Sequence, residues 1–238
     1  MKTRGFFITG TDTGVGKTWV TVNLMHWLRS RGLTVIAMKP VATGCVLTAG
    51  CLVNEDAERL REAASVNIAY EKVNPYAFEP AASPHIAARL SGQTIDLDGI
   101  VRQCRELQQM ADCMLVEGVG GWQVPSTGQH KVSDLADALG FPVILVVGMR
   151  LGCLNHALLT YAALSGSGIE CAGWIANQPG GHFAFLAENI ETLAAELPCP
   201  YLGLLPHHPA AGIGSGKSLL AGDFVMEGGD QILRRLRV

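Results

Sequence analysis

The sequence predicts an α/β fold in which a parallel sheet is covered by helices on both faces. Three observations predict it. Short, continuously apolar runs recur along the chain, as strands buried on both sides require. Helical patterns lie between them, and such alternation means parallel strands joined by crossover helices. A chain of 238 residues, 48% hydrophobic and 16% charged, can bury the core that such a sheet needs, and it is long for one domain but short for two. We therefore expect one domain over 1–238, with 207–238 as its least defined segment.

The elements follow in order. Gly5–Thr9 is the first apolar run, and Lys17–Arg31 carries the first helical pattern. Thr34–Met38 is the second run and leads to helical patterns at Glu55–Ala64, Pro84–Leu90 and Leu97–Met110. In the last of these, Leu97, Ile100, Val101, Cys104, Leu107 and Ala111 fall at three- and four-residue steps and make one apolar stripe. Glu71–Gly92 reads as an excursion carrying a short helix and forming a substrate wall. Cys113–Glu117 and Pro142–Val147 are the third and fourth runs, with Ser133–Leu139 helical between them. Leu154–Ser165, the run Cys171–Ala176, the helical Phe183–Glu196 and the run Pro200–Leu204 complete the series.

The formal net charge of −3, with charges scattered, gives no basic patch for nucleic acid, so small-molecule chemistry is expected. No apolar run approaches the roughly 20 residues of a membrane helix, and Met1-Lys2-Thr3-Arg4 leads directly into a strand, which points to the cytoplasm. Seven cysteines lie singly and read as reduced thiols.

In parallel sheets ligands gather beyond the C-terminal ends of strands. After the first run comes Gly10-Thr11-Asp12-Thr13-Gly14-Val15-Gly16-Lys17-Thr18, a glycine-rich turn between strand and helix. Such a turn lets backbone N–H groups cradle phosphates, with the lysine reaching the outer phosphates and the threonine hydroxyl available to Mg²⁺. The strict pattern has about four residues between its glycines; Gly10 and Gly16 enclose five, a longer variant. The chain therefore reads as a nucleoside-triphosphate-binding protein of the P-loop type.

Other strand ends carry polar groups. Lys39, in Lys39-Pro40-Val41-Ala42-Thr43-Gly44, stands at a strand tip before a turn favoured by Pro40 and Gly44. Glu117, followed by Gly118-Val119-Gly120-Gly121, occupies the place where phosphate-loop proteins put an Mg²⁺-binding acid. Asp56 reads either as a first-turn acid favoured by the helix dipole or as a metal ligand. Arg150-Leu151-Gly152-Cys153-Leu154-Asn155 turns into another helix whose N-terminus can hold a carboxylate. Asn177 offers one donor and one acceptor, matching adenine. His85 reads as a surface histidine. Gly212–Ser218 imitates a second phosphate loop but does not continue from a strand and reads as a flexible loop; Arg234-Arg235-Leu236-Arg237 reads as the solvated end of a helix.

Taken in order, the phosphate loop, Lys-Pro-Val-Ala-Thr-Gly, Asn-Pro-Tyr-Ala-Phe, Ser-Pro-His, Val-Glu-Gly-Val-Gly-Gly-Trp and Leu-Gly-Cys-Leu-Asn-His-Ala resemble the dethiobiotin synthetase family from residue 4 to about 206. The resemblance implies a homodimeric, ATP-dependent enzyme that converts 7,8-diaminopelargonic acid and CO₂ to dethiobiotin, ADP and phosphate. It implies that a substrate amine captures CO₂ as a carbamate, which attacks the γ-phosphate to give a mixed carbamic–phosphoric anhydride that the second amine closes into a ring. It further implies Lys17, Lys39 and Thr43 as catalytic groups, and Thr18, Asp56 and Glu117 around Mg²⁺. ATP falls to Asp12, Thr13, Gly14, Val15, Gly16, Lys17, Thr18, Glu117, Asn177 and Pro206. The substrate falls to Thr11, Lys39, Thr43, Arg150, Leu151, Gly152 and Asn155, the carboxylate turn acting across the dimer interface.

Two departures stand out. Several relatives carry an acid where this loop has Gly14, and Val124–His130 differs from the usual sequence. Two other readings compete: another ATP-dependent amide-forming ligase, which needs a glutaminase this chain has no room for, and a partitioning-type switch ATPase. The latter places a second lysine early in its loop, where this chain has Thr11 to Gly14.

Overall fold

The computed structural model describes residues 5–207 and 226–236. Its central sheet has the order β10-β9-β8-β1-β7-β2, formed by Tyr201–Leu205 (β10), Cys171–Asn177 (β9), Val143–Gly148 (β8), Gly5–Gly10 (β1), Cys113–Glu117 (β7) and Val35–Met38 (β2). Every neighbouring pair is parallel. The registers Met38↔Val116, Ile8↔Glu117, Gly10↔Val146, Gly148↔Asn177 and Asn177↔Leu205 bring all the strand C-termini to one edge.

Alternation along β8 shows that both faces are covered. Ile144 and Val146 join the larger apolar cluster, with Phe6, Ile8, Leu24 and Leu115, whereas Leu145 and Val147 join a second one with Trp174. The second cluster is closed by Cys153 and Ala157 of α7 (Cys153–Gly166) and Leu193 of α8 (Leu186–Glu196). Burial of an apolar side chain of this size contributes about 1.5–3 kcal/mol, so continuous apolar runs are stable only between two helix layers.

The remaining helices are α1 (Lys17–Ser30), α2 (Glu55–Ala63), α3 (Tyr70–Val73), α4 (Pro84–Leu90), α5 (Leu97–Leu107), α6 (Val132–Leu139) and α9 (Gly229–Leu236). Several differ from expectation. The Leu97–Met110 pattern splits, its last three residues tightening into a 3₁₀ turn. The Phe183–Glu196 pattern starts as a helix only at Leu186, because Phe185 takes a left-handed backbone (φ 59) that helix cannot continue. Arg235 is not merely solvated: in α9 it pairs with Glu170. Arg237 and the Gly212–Ser218 segment lie outside the described residues.

Short strands appear where turns and an excursion were expected. Between Pro40 and Gly44, β3 (Val41–Thr43) runs parallel to β6 (Tyr76–Phe78), and only Gly44 (φ 72) turns. Next, β4 (Val46–Thr48) and β5 (Cys51–Val53) form a hairpin whose turn is Ala49-Gly50, with φ 50 and 85. That turn demands two positive φ angles, and alanine gives no sequence signal for one.

Leu24 is fully buried on α1 while Leu47 is 66% exposed on the hairpin. Leu24→Ala is expected to lower stability by about 2–5 kcal/mol in urea unfolding, and Leu47→Ala by no more than about 0.5 kcal/mol.

Candidate functional site

The phosphate loop leaves β1 at Gly10, beside the point where the chain moves from β7 on one side to β8 on the other. Thr11 N donates to Val146 O at 3.0 Å, pinning the loop to the next strand tip. Gly14 and Gly16 have φ 73 and 84, which glycine adopts without cost. Gly16 is also obligatory for packing: a Cβ there would lie 2.1 Å from Asn177 Nδ2. The Asn177 amide holds the loop from below, Nδ2 donating to Val15 O at 2.7 Å. Its Oδ1 is buried without a partner, so only the acceptor half remains for a base. Gly16 caps α1 with no side-chain bond, which leaves the first helical N–H groups and the positive end of the dipole for an anion.

Four charges meet above this loop. Glu117, at the end of β7, is buried, and Thr18 Oγ1 donates to its Oε1 at 2.8 Å. Lys39 Nζ lies 2.9 Å from the same oxygen and also bonds Asp56 Oδ2. Burial opposes the Lys39 charge, but Glu117 and Asp56 outweigh it and push its pKa above the ordinary lysine value. Burial likewise opposes ionisation of Asp56, yet Lys39 and the Thr18 hydroxyl hold its pKa below the usual carboxylate range. Lys17 differs: burial prevails over its acidic neighbours and lowers its pKa from 10.5 to about 8. Its ammonium is held by the carbonyls of Asp12 (3.0 Å) and Gly120 (2.6 Å).

A polar chain sets these positions. Asn74 Nδ2 donates to Lys39 O at 2.7 Å and fixes the strand tip. Its Oδ1 accepts from the Tyr70 hydroxyl, whose oxygen accepts from Asn54 N at 2.7 Å. Asn54 caps α2 through Ala57 N, and α2 carries Asp56. Asp56 lies in the first turn of α2, as one of its two readings expected, and its carboxylate also reaches Lys39.

Thr18, Asp56 and Glu117 present only hard oxygens, the donor set that suits Mg²⁺, and Glu117 Oε2 is buried with no hydrogen-bond partner. Among the described residues no group of three or more His, Cys, Asp or Glu could hold a metal. An ion at this place would take its other ligands from water and phosphate.

The loop and the charges line one cleft of about 370 Å³. It contains Thr13, Gly14, Gly16, Lys17, Thr18, Lys39, Thr43, Asp56, Glu117 and Asn177. Thr11, Asp12, Val15, Pro206, Arg150, Leu151, Gly152 and Asn155 are not in its lining; Val15 is buried and takes part through its carbonyl. Arg150 pairs with Asp12 at 2.6 Å, Leu151 is 95% exposed, and Gly152 caps α7 with no side-chain bond. His85 lies outside and meets Pro125 O at 3.2 Å.

Sequence reasoning missed Trp19, Asn54, Arg59, Val119, Gln178 and Pro179, which also line the cleft, together with Gly120 from the glycines after Glu117. Arg59 was legible, three residues from Asp56 on one helix face, and Gln178-Pro179 directly follow Asn177. Nothing in the sequence signalled Trp19.

A glycine loop at the switch point of a parallel sheet, opening onto an uncapped helix and a buried acid, defines a P-loop nucleotide-binding protein. A family model described as an AAA domain matches residues 4–212. Over 208 residues the chain is 50% identical to the ATP-dependent dethiobiotin synthetase BioD of Pseudomonas paraeruginosa, covering 87% of this chain and 91% of that protein. The protein of the same name from Xylella fastidiosa is 46% identical over 209 residues, covering 88% and 92%. The chain belongs to the ATP-dependent dethiobiotin synthetase family. Among solved structures, the MinC:MinD cell division complex of Aquifex aeolicus (TM-score 0.55, 16% identity, 87% of this chain and 83% of that one) and a ParA family ATPase of Chlorobium tepidum (0.53, 13%, 88% and 87%) share its fold. At that identity the likeness concerns the fold alone, and gives no support to the switch-ATPase reading.

Lys17 generates a prediction. Between about pH 8 and 10.5 the unfolded chain holds a proton that the folded, ligand-free protein has lost, so this residue makes stability rise with pH across that window. Phosphate beside Nζ restores the charge. ATP binding at about pH 9 is therefore expected to take up a proton, measured by calorimetry in buffers of different ionisation enthalpy; Lys17→Met should bind without uptake.

Proposed function

We propose that this protein catalyses the Mg-ATP-dependent carboxylation and ring closure of 7,8-diaminopelargonic acid with CO₂ to dethiobiotin, ADP and phosphate. The observation that carries this reading is the second buried lysine. Lys39 stands in the same cleft as the phosphate loop, 2.9 Å from Glu117, and provides a positive charge for an anion beside the γ-phosphate.

The backbone of Asp12, Thr13, Gly14, Val15 and Gly16 binds the phosphates of ATP, Lys17 adds charge, and Asn177 with Pro206 receives adenine. Thr18, Asp56 and Glu117 would hold Mg²⁺, which when bound neutralises phosphate oxygens. One substrate amine adds to CO₂ and loses a proton to form a carbamate, held by Lys39, Thr43 and Thr11. A carbamate oxygen attacks the γ-phosphorus and ADP leaves. The second amine attacks the carbamate carbon; phosphate and a proton depart as the ring closes. No protein nucleophile is needed, so the residues act by orienting substrates and stabilising charge.

Arg150, Leu151, Gly152 and Asn155 receive the substrate carboxylate from a second copy of the chain. Support comes from the surface around that turn: Leu151 (95% exposed), Leu159 (63%) and Phe185 (71%) are apolar and open in the single chain. The whole chain acts as one domain, and 207–238 is given no part. No described helix is long and apolar enough to cross a membrane, all seven cysteines are free and no basic patch exists in the sequence; these support a cytoplasmic enzyme without nucleic acid partners.

Purified protein with Mg-ATP, labelled bicarbonate and the diamine is expected to incorporate label into an acid-stable product. Phosphate release that is equally fast without the diamine would refute the synthetase reading. For the assembly, Leu159→Glu should elute as a monomer in size-exclusion chromatography and raise the KM for the diamine at least about tenfold while leaving ATP binding in place. A dimer of unchanged kinetics would place the interface elsewhere.

A further inference from the structure

The oxygens assigned to a metal are gathered around an ammonium group. Lys39 Nζ bonds Asp56 Oδ2 and Glu117 Oε1, and Thr18 Oγ1 donates to that same Glu117 oxygen. The Lys39 side chain is only 8% exposed and that of Glu117 not at all, so their attraction is weakly screened. Charge balances without any ion: Lys17 and Lys39 oppose Asp56 and Glu117.

A bare divalent cation would meet two ammonium groups and would have to draw both carboxylates away from Lys39. Nor do the described residues offer it a cage, since no third acidic, histidine or cysteine side chain joins the pair. A nucleoside triphosphate changes both conditions. Its oxygens complete a coordination shell in the way Mg²⁺ favours, and its negative charge gives the ammonium groups a new partner.

We propose that Lys39 is a built-in counter-ion that occupies the Asp56–Glu117 pair in the nucleotide-free protein, so that divalent metal binds only together with nucleotide. On that event Lys39 passes from the carboxylates to the phosphate and carbamate oxygens, and Glu117 Oε2, buried and unpartnered until then, gains a partner. Lysine and metal thus exchange at one place, and the two carboxylates are paired with a cation both before and after the nucleotide arrives. The proposal rests on the assignment of Thr18, Asp56 and Glu117 as metal ligands made above.

The test uses Mn²⁺ as the probe, free ion being read by its paramagnetic resonance signal, on the full chain without nucleotide. Wild type is expected to bind Mn²⁺ weakly, and Lys39→Met, similar in length but uncharged, at least about tenfold more tightly. With a non-hydrolysable ATP analogue present the two should agree within about threefold. Adding Asp56→Asn to Lys39→Met should abolish the gain. Equal binding by wild type and Lys39→Met without nucleotide overturns the exchange alone. A gain that survives Asp56→Asn overturns the ligand assignment and the exchange with it. Thermal unfolding of the wild type gives a measurement independent of any variant: Mn²⁺ alone should leave Tm unchanged, Mn²⁺ with the analogue should raise it beyond the analogue alone, and a rise with Mn²⁺ alone overturns the proposal. None of these readouts depends on turnover, so failure of the synthetase reading in the labelled-bicarbonate assay remains separate.

Discussion

A buried carboxylate without compensation costs several kcal/mol, and Glu117 sits fully buried at the end of β7. Much of the surrounding structure answers that cost. Lys39 comes from the tip of β2, Thr18 from the start of α1 and Asp56 from α2, while Asn74, Tyr70 and Asn54 hold the backbone that presents them. Such a cluster contributes little net stability, since well-packed apolar side chains serve as well or better. Its value is compensation: until a ligand arrives, Lys39 keeps the Glu117 and Asp56 carboxylates paired, so that no charge at the strand tips is buried alone.

Sheet order explains how residues so far apart in sequence meet. β1 lies between β7 and β8, and β2 lies on the far side of β7, so the loops after β1, β7 and β2 share one edge. Parallel registers keep these tips level: Ile8 stands opposite Glu117, and Val116 opposite Met38, one residue before Lys39. A shift of one residue in β7 would turn Glu117 to the other face of the sheet and separate it from both Lys39 and Thr18. The apolar runs that bury β7 therefore also aim the acid.

That logic decides what could be read from sequence. Six short, largely apolar runs alternating with helical patterns read as parallel strands covered on both faces, and those strands were legible to within a residue or so at each end. Lys39 and Glu117 were legible because they interrupt such runs at their C-terminal ends. Asp56 was ambiguous, because a helix first turn favours an acid whether or not it meets a lysine; only the polar chain through Tyr70 and Asn74 turns it inward. The hairpin at Ala49-Gly50 and the 3₁₀ end of α5 were illegible, being set by backbone angles that their residues do not advertise. The Lys17 bond to Gly120 O joins residues 103 apart, which no local pattern could disclose.

Helix α7 ties assembly to chemistry in the proposed reading. Of its residues only Cys153, Ala157 and Leu164 are buried, although apolar side chains occur around its whole circumference. Its exposed Leu158 and Leu159 find no cover among the described residues, and an apolar surface of this kind suits contact with another body. The same helix begins at Gly152 with its N–H groups uncapped, next to Arg150, which Asp12 of the phosphate loop holds at 2.6 Å. An exposed pair of this kind adds little stability, so its consequence is geometric. It links the loop that cradles phosphate to the turn that faces away from its own cleft. If a second copy covers α7, one contact both buries the apolar helix and brings that turn to the neighbouring cleft, and neither requirement is met without the other.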